Sequence, residues 1–545
     1  MDYGELEINT TCLEKIITSY LARIGIPIAK AYCEKQIASH PDYPSILAVA
    51  DTLQVLGISH SVLRANKEQT GDIPFPALLH LDVAGGSLLP VYNEQDFLSA
   101  GEKLNHWSGV LINAEPTSEI VDKQHTKALA EEKRFKVLAA LFLTAVAGLV
   151  AIPLLFSFSW IQLMMIILSI TGAVTGYFLF AKDLGITYRA IESFCNAGTG
   201  AGCGKVLRSE EGKLFGFITF PDLTLGYFAA QLIVISLLVP LWADSTLLAV
   251  LVWFSFLAFP MVGYSIWLQA FKIKEWCRLC LVISGILTLQ ALFFGYLYST
   301  GYINLIAVTI PALAITLLLF GVAGSSLLLL KQNMEQKNHA LQNEIAAARL
   351  KNSPAVFTSL LFKQRQVDTT PFEHDFLIGK PDAPIKLTMA VNLFCGPCKN
   401  ELDNAKELLR IYPDLVNLSL RFLKSGDGGN SSSLLLNAWL HKLKERTNGM
   451  PNGQLLIDKW YETMNVEMFL ESHPINKTVL DTEIEEYLKT HYSWITQAGI
   501  TQTPTTLMNG YELPSAYRIK DLATQIPGLT ALLNDINLLK NRILK

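Results

Sequence analysis

The sequence predicts a multi-domain protein, an α-helical transmembrane bundle flanked by an N-terminal α/β domain and a C-terminal α/β domain. Three observations predict it. Apolar residues concentrate between Phe135 and Leu330, in a chain of 545 residues whose mean hydropathy is +0.31. The stretches on either side carry mixed helix-like and strand-like patterns. Six of the eight cysteines fall into three local pairs, Cys195/Cys203, Cys277/Cys280 and Cys395/Cys398, with Cys12 and Cys33 apart. Paired thiols point to redox chemistry or metal. The net charge of −4 gives no case for a nucleic-acid partner.

In chain order, residues 1–120 read as a small α/β domain. "TCLEKIITSYLARIGI" and "SILAVADTLQVLGI" have helical spacing, while "FPALLHLDV" and "LLPVYN" read as short strands. Met1 to Pro27 has early acidic residues and no uninterrupted apolar core, so no secretory signal is expected there. A charged linker, 121–135, leads into a membrane region, 136–330. Six spans are expected, near 136–157, 160–181, 221–242, 246–270, 276–299 and 302–330. Each has about the 20 apolar residues a bilayer crossing needs. A polar loop holding Cys195 and Cys203 separates the second span from the third. Residues 331–369 read as a helical linker and 370–545 as the C-terminal domain. There "APIKLTMAVNLF" is a strand, followed by "CGPC", the helix "KNELDNAKELLRIY" and a mostly helical insert. "GITQTPTTLMNGYEL" then reads as turn, strand, Asn-Gly turn, strand.

In "FCGPCK", Cys395 stands at a helix N-terminus. The helix dipole and free backbone N–H groups there stabilise a thiolate, the attacking species in disulfide exchange. Cys395 is thus the expected nucleophile and Cys398 the more buried resolving thiol. Pro504, expected in the cis form, faces the pair, and Thr503 offers backbone to an incoming peptide. Half of a zinc site would need a second CxxC in this domain, and none follows, so no metal is expected. The stretch resembles the thioredoxin family, whose common active-site sequence is CGPC. The long helical insert resembles its DsbA-type branch.

Cys277 and Cys280 open the fifth span, where thiols can face water on one side and a lipid-soluble molecule on the other. A quinone is a two-electron acceptor dissolved in the bilayer. Taken alone, the pair reads equally well as two small buried apolar side chains. Counting spans puts the Cys195/Cys203 loop, the start of the fifth span and the exit of the sixth on one face. All three pairs therefore share a compartment, as a relay requires.

"CNAGTGAGCGKVLRSEEGKLFG", then two spans, then "WCRLC" opening a third, together resemble the vitamin K epoxide reductase family, over roughly 160–298. The family's pattern is a loop cysteine pair, Val-Leu-x-Ser (here Val206 to Ser209), Phe-Gly (Phe215, Gly216) and a CxxC within a four-helix redox core. The resemblance implies electron flow from substrate thiols through Cys395–Cys398 to Cys195–Cys203, then to Cys277–Cys280 and a quinone (ubiquinone or menaquinone). It places Cys280 nearer the quinone and Cys277 nearer the loop. Ser209 would orient a loop or quinone oxygen, or cap a helix. An extra span, 136–157, precedes the family's first and reverses the face on which the N-terminal domain lies.

"TCLEKIITSYLARIGI" also weakly resembles the start of the papain-like, bacteriocin-processing cysteine peptidases, with Cys12 at the nucleophile position. Leu13 stands where that family has Gly and Leu6 where it has the oxyanion-hole Gln. "AGGSLLPVY" lacks the family's His, and His80 reads as a satisfied strand residue. Without a base the thiol is poorly activated. A degenerate, peptide-binding domain is expected, with Cys12 and Cys33 either paired or left as core thiols.

Disulfide-making chemistry belongs outside the cytosol. The lysines and arginines gather on the thiol face, at Lys133, Arg134, Lys136, Lys182, Lys272, Lys274 and Lys331, which by the positive-inside rule points inward. The chemistry sets the expectation: a multi-pass inner-membrane protein with both soluble domains on the periplasmic face. The expected function is a quinone-dependent thiol oxidase acting on cysteine-containing proteins or peptides. The alternative is a peptide maturation or export factor whose N-terminal domain binds or cleaves a leader.

Overall fold

The structure is a computed structural model. It describes residues 13–65, 73–82, 87–115, 120, 122–156, 159–186, 188, 194–195, 213–214, 218–241, 246–303, 308–372, 375–423, 435, 453–472 and 481–531. Several apolar helices accompany mixed α/β sheets. The chain divides into two compact units, residues 1–132 with 344–545, and residues 133–343.

In the first unit, helices α1 (Leu13–Arg23), α2 (Lys30–Ala38) and α3 (Ile46–Leu56) pack with a sheet of β1 (His60–Arg64), β2 (Ala77–Leu81), β3 (Ser87–Val91) and β4 (Trp107–Ala114). The order is β1-β4-β2-β3 and every pairing is antiparallel. Leu13, Ile17, Tyr20 and Leu21 recur at helical spacing and join Cys33, Val49 and Leu53 in the core. Ser45 caps α3 by accepting the Ala48 N–H, and Gly57, at φ 74°, closes its other end. Burial pushes the Cys33 thiol up to about 12, so this cysteine is an inert core residue.

The same unit holds a five-stranded sheet of β7 (Phe376–Gly379), β8 (Ile385–Val391), β9 (Val416–Phe422), β10 (Thr505–Met508) and β11 (Tyr511–Glu512). Here β5 and β6 denote the short pair Lys213–Leu214 and Ile218–Thr219 of the other unit. The order is β11-β10-β8-β9-β7, with β8 and β9 parallel. A parallel pair needs a crossover, and a helix at Gly396–Ile411 supplies it. Phe357 and Leu361 of the helix Pro354–Leu361 belong to this core.

His491 is buried at 1% exposure, on the helix Asp481–Gln497. Its Nδ1 accepts the Phe422 N–H at 3.1 Å, and its ring stacks on Phe422. Burial, helped by the nearby Arg421 guanidinium, pushes its pKa down to about 3. The folded pKa lies below the unfolded one, so the stabilisation is complete above about pH 6.5 and fades as pH falls toward 3. The slope is about 1.4 kcal/mol per pH unit in that window. Asp375, whose pKa burial raises, acts with the opposite sign at the acid end. His491→Gln is expected to flatten the dependence of the urea midpoint on pH between 6.5 and 4. An unchanged slope would show that other groups set it.

Among the described residues, five helices are long and apolar enough to cross a membrane: α6 (Trp160–Asp183), α7 (Phe220–Leu238), α8 (Thr246–Ile273), α9 (Arg278–Ser299) and α10 (Ile310–Lys351). Residues 136–156 of the span expected at 136–157 lie in α5 (Lys123–Phe156). The sixth span, expected from 302, has its described helix from Ile310; Tyr302, Ile303, Val308 and Thr309 are not helical. Gly301, at φ 70°, ends α9, and Pro311 suits the first turn of the next helix. From there α10 continues without a break to Lys351. The helices α6 and α7 approach closely: a Cβ on Gly172 would lie 2.5 Å from the Phe228 ring, and one on Gly176 3.2 Å from Leu225 Cα. Small residues at such crossings are what lets membrane helices pack.

Candidate redox site

Cys277 is the N-cap of α9, and its Sγ accepts the Cys280 N–H at 3.3 Å. The two sulfurs are joined as a disulfide, with Cα atoms 5.2 Å apart. Cys277 is fully buried and Cys280 half-buried. Cys195 is buried in the same cluster, among Leu179, Phe228, Ile283 and Ile286. The Arg278 guanidinium donates to the Phe194 carbonyl at 3.1 Å, tying that loop segment to the start of α9. One loop cysteine and the CxxC are thus brought together from positions more than a span apart in sequence. Cys203, Ser209, Phe215, Gly216 and Cys12 lie outside the described residues.

An apolar cavity of about 70 Å³ adjoins the disulfide. Cys280 lines it, together with Leu179, Met261, Thr224, Ser265 and Ser284; neither Cys277 nor Cys195 does. A second cavity, of about 520 Å³, shares Phe220, Thr224, Met261 and Leu287 with the first and reaches Phe254 and Phe320. Apolar walls with a few hydroxyl groups suit a flat, largely apolar molecule carrying hydrogen-bond acceptors.

Where the C-terminal end of α6 meets the N-terminal end of α7 lies a buried group that sequence reasoning missed. Lys331 Nζ of α10 donates to Asp183 Oδ2 at 2.6 Å, to Asp222 Oδ2 at 2.9 Å and to Thr219 Oγ1 at 3.0 Å. Asp222 Oδ2 also accepts the Thr219 N–H at 2.8 Å, capping α7. Only the rarity of charges within apolar spans could have flagged these residues. Their separations of 109 to 148 residues hid the contact.

In the other unit, Cys395 is the N-cap of the helix Gly396–Ile411, directly after β8. Its half-buried Sγ lies 3.6 Å from the Thr503 carbonyl, and the Thr503–Pro504 peptide bond is cis. Cys398 is fully buried, and burial pushes its thiol up to about 12. Burial holds it in the protonated form, and the Cys395 sulfur is the more exposed of the two. Phe394, 44% exposed, stands beside it against Trp460, whose Nε1 donates to the Leu393 carbonyl at 3.1 Å.

Residues 163–295 match the model of the vitamin K epoxide reductase family. Among solved structures, the catalytic domain of Proteus mirabilis ScsC aligns at 19% identity over 33% of this chain and 98% of its own, with a TM-score of 0.23. A periplasmic thioredoxin-like protein from Salmonella enterica serovar Typhimurium gives 17% identity, 32% and 95% coverage, and a TM-score of 0.24. Chlamydia trachomatis DsbA gives 17% identity, 31% and 97% coverage, and a TM-score of 0.24. No curated protein matches the chain.

Proposed function

We propose that this protein is a membrane thiol oxidase that makes protein disulfides and passes the electrons to a quinone. The observation that carries the reading is the placement of Cys195, Cys277 and Cys280 in one buried cluster, with Cys280 alone of the three on the apolar cavity. In the oxidised pair, substrate thiolate attacks Sγ of Cys395, the Cys395–Cys398 bond breaks and Cys398 leaves as thiolate; a second substrate thiolate then attacks the substrate sulfur and Cys395 leaves, so the substrate is oxidised and Cys395 and Cys398 are reduced. Thiolate at Cys395 then reduces the Cys195–Cys203 disulfide, and the loop pair reduces Cys277–Cys280 by the same exchange. Re-forming the Cys277–Cys280 bond releases two electrons and two protons. A quinone supplies the two-electron, two-proton sink, becoming hydroquinone. Leu179 and Met261 would hold its ring. The periplasmic face remains the proposed location of the thiols, with the N-terminal domain as a non-catalytic companion.

The test uses the full chain in proteoliposomes with a reduced dithiol peptide and a short-chain quinone. Peptide oxidation is expected to be stoichiometric with quinone loss at its ultraviolet band. Oxidation at the same rate without quinone would sink the reading. In intact cells, a membrane-impermeant maleimide added after mild reduction is expected to label Cys395 from outside. Protection until the inner membrane is lysed would turn the relay inward.

A further inference from the structure

Gln269 is fully buried in the π-helical turn Leu268–Ile273 that ends α8. Such turns often mark functional sites, because the extra residue redirects a side chain. Its Oε1 accepts the Cys277 N–H at 2.8 Å. Its Nε2 donates to the Ser265 carbonyl at 3.2 Å and to Ser265 Oγ at 3.1 Å. Ser265 in turn lines the cavity that Cys280 lines. One buried amide therefore connects the backbone of the disulfide to a hydroxyl on the cavity wall.

The direction of these bonds matters. Ser265 Oγ accepts from Gln269, which leaves its own O–H to donate, and no acceptor for it occurs among the described residues. The Thr224 hydroxyl on the same wall is committed to the Phe220 carbonyl at 2.8 Å. Ser284, one turn beyond Cys280, has no comparable brace among the described residues.

We propose that the Ser265 hydroxyl donates a hydrogen bond to a quinone carbonyl oxygen, and that Gln269 is the positioning residue that aims it and ties it to Cys277. The inference rests on the quinone reading above. When two electrons leave the Cys277 and Cys280 sulfurs and the S–S bond forms, the two thiol protons are released, and the quinone takes up two electrons and two protons. Negative charge develops at the carbonyl oxygens during that transfer. A donor already aimed there, in a site of low dielectric, acts most strongly in the transition state.

The experiment compares the full chain with Ser265→Ala, Gln269→Leu, the double variant and Ser265→Thr. Three quantities are read: kcat and KM for a short-chain quinone, binding of that quinone by quenching of tryptophan fluorescence, and dithiol exchange at Cys395–Cys398. Ser265→Ala is expected to lower kcat about 100-fold and binding about tenfold, with dithiol exchange unchanged. Gln269→Leu should move kcat and binding in the same direction, the double variant should be no worse than Ser265→Ala, and Ser265→Thr should restore most of the loss. Unchanged kcat and binding in Ser265→Ala would overturn the donor role. Losses that multiply in the double variant would overturn the coupling through Gln269. If Gln269→Leu does not fold, Ser265→Ala, which removes one oxygen atom, decides alone. An unsubstituted protein that exchanges dithiols but reduces no quinone would overturn the parent reading and this inference with it.

Discussion

Cys280→Ser is expected to reduce quinone-linked thiol oxidation to background while leaving dithiol exchange at Cys395–Cys398 intact. Cys280 is the cavity-facing member of its pair, so its loss removes the sulfur through which electrons would leave. It also leaves Cys277 without its partner sulfur, so Cys277 thiolate can exchange only with the Cys195–Cys203 disulfide, breaking that bond and releasing Cys203 as thiolate. Cys195 is packed in the same cluster as Cys277, so a Cys195–Cys277 linkage should accumulate. Non-reducing peptide mapping of the variant would detect it. Cys277→Ser makes the contrast: the loop linkage should be lost along with turnover. Retained activity in Cys280→Ser, or a linkage to Cys277 that excludes Cys195, would reject the order of transfer proposed here.

Lys331→Met is expected to destabilise the membrane unit by about 3 to 5 kcal/mol, the cost of breaking a buried ion pair from one side. The Lys331 side chain is 10% exposed, and those of Asp183 and Asp222 are 12% and 3% exposed. Without the ammonium, two carboxylates face each other in an apolar setting with little water. The triple variant Lys331→Met, Asp183→Asn, Asp222→Asn should recover much of the loss. No orphan charge remains in it, and the amide oxygen introduced at position 222 can still accept the Thr219 N–H. Thermal aggregation midpoints in detergent would give the comparison. If Lys331→Met matches the unsubstituted protein, the cluster is only a surface contact. The pairing also bears on architecture, since it joins α10 to the two helices whose Leu179 and Phe228 belong to the cysteine cluster.

The elements follow the sequence wherever a single period decides them. Leu13, Ile17, Tyr20 and Leu21 announce α1 by spacing alone. "FPALLHLDV" and "LLPVYN" become the antiparallel partners β2 and β3, with Leu79 opposite Leu89. Strand, CGPC and helix occur in the order read from the residues. The described start of α10 at Ile310 escaped, because hydropathy does not separate Val308 and Thr309 from the helix they precede. Gln269 also escaped. By sequence it is one polar residue near the end of a span, and a regular α-helix would not single it out.

The sequence by itself determined the local chemistry of this protein. Hydropathy over about 20 residues selects the bilayer, and a thiol at a helix N-terminus is favoured as an anion by the backbone around it. These effects act over a few residues, so they are legible in a string. The tertiary structure alone decided which distant groups share a volume. Cys195 meets Cys277 and Cys280, Lys331 meets two aspartates, and Gln269 turns from its own helix to the next. Those contacts follow from how helices pack and where a π-helical turn rotates a side chain, and packing is a property of pairs of surfaces that no local pattern encodes.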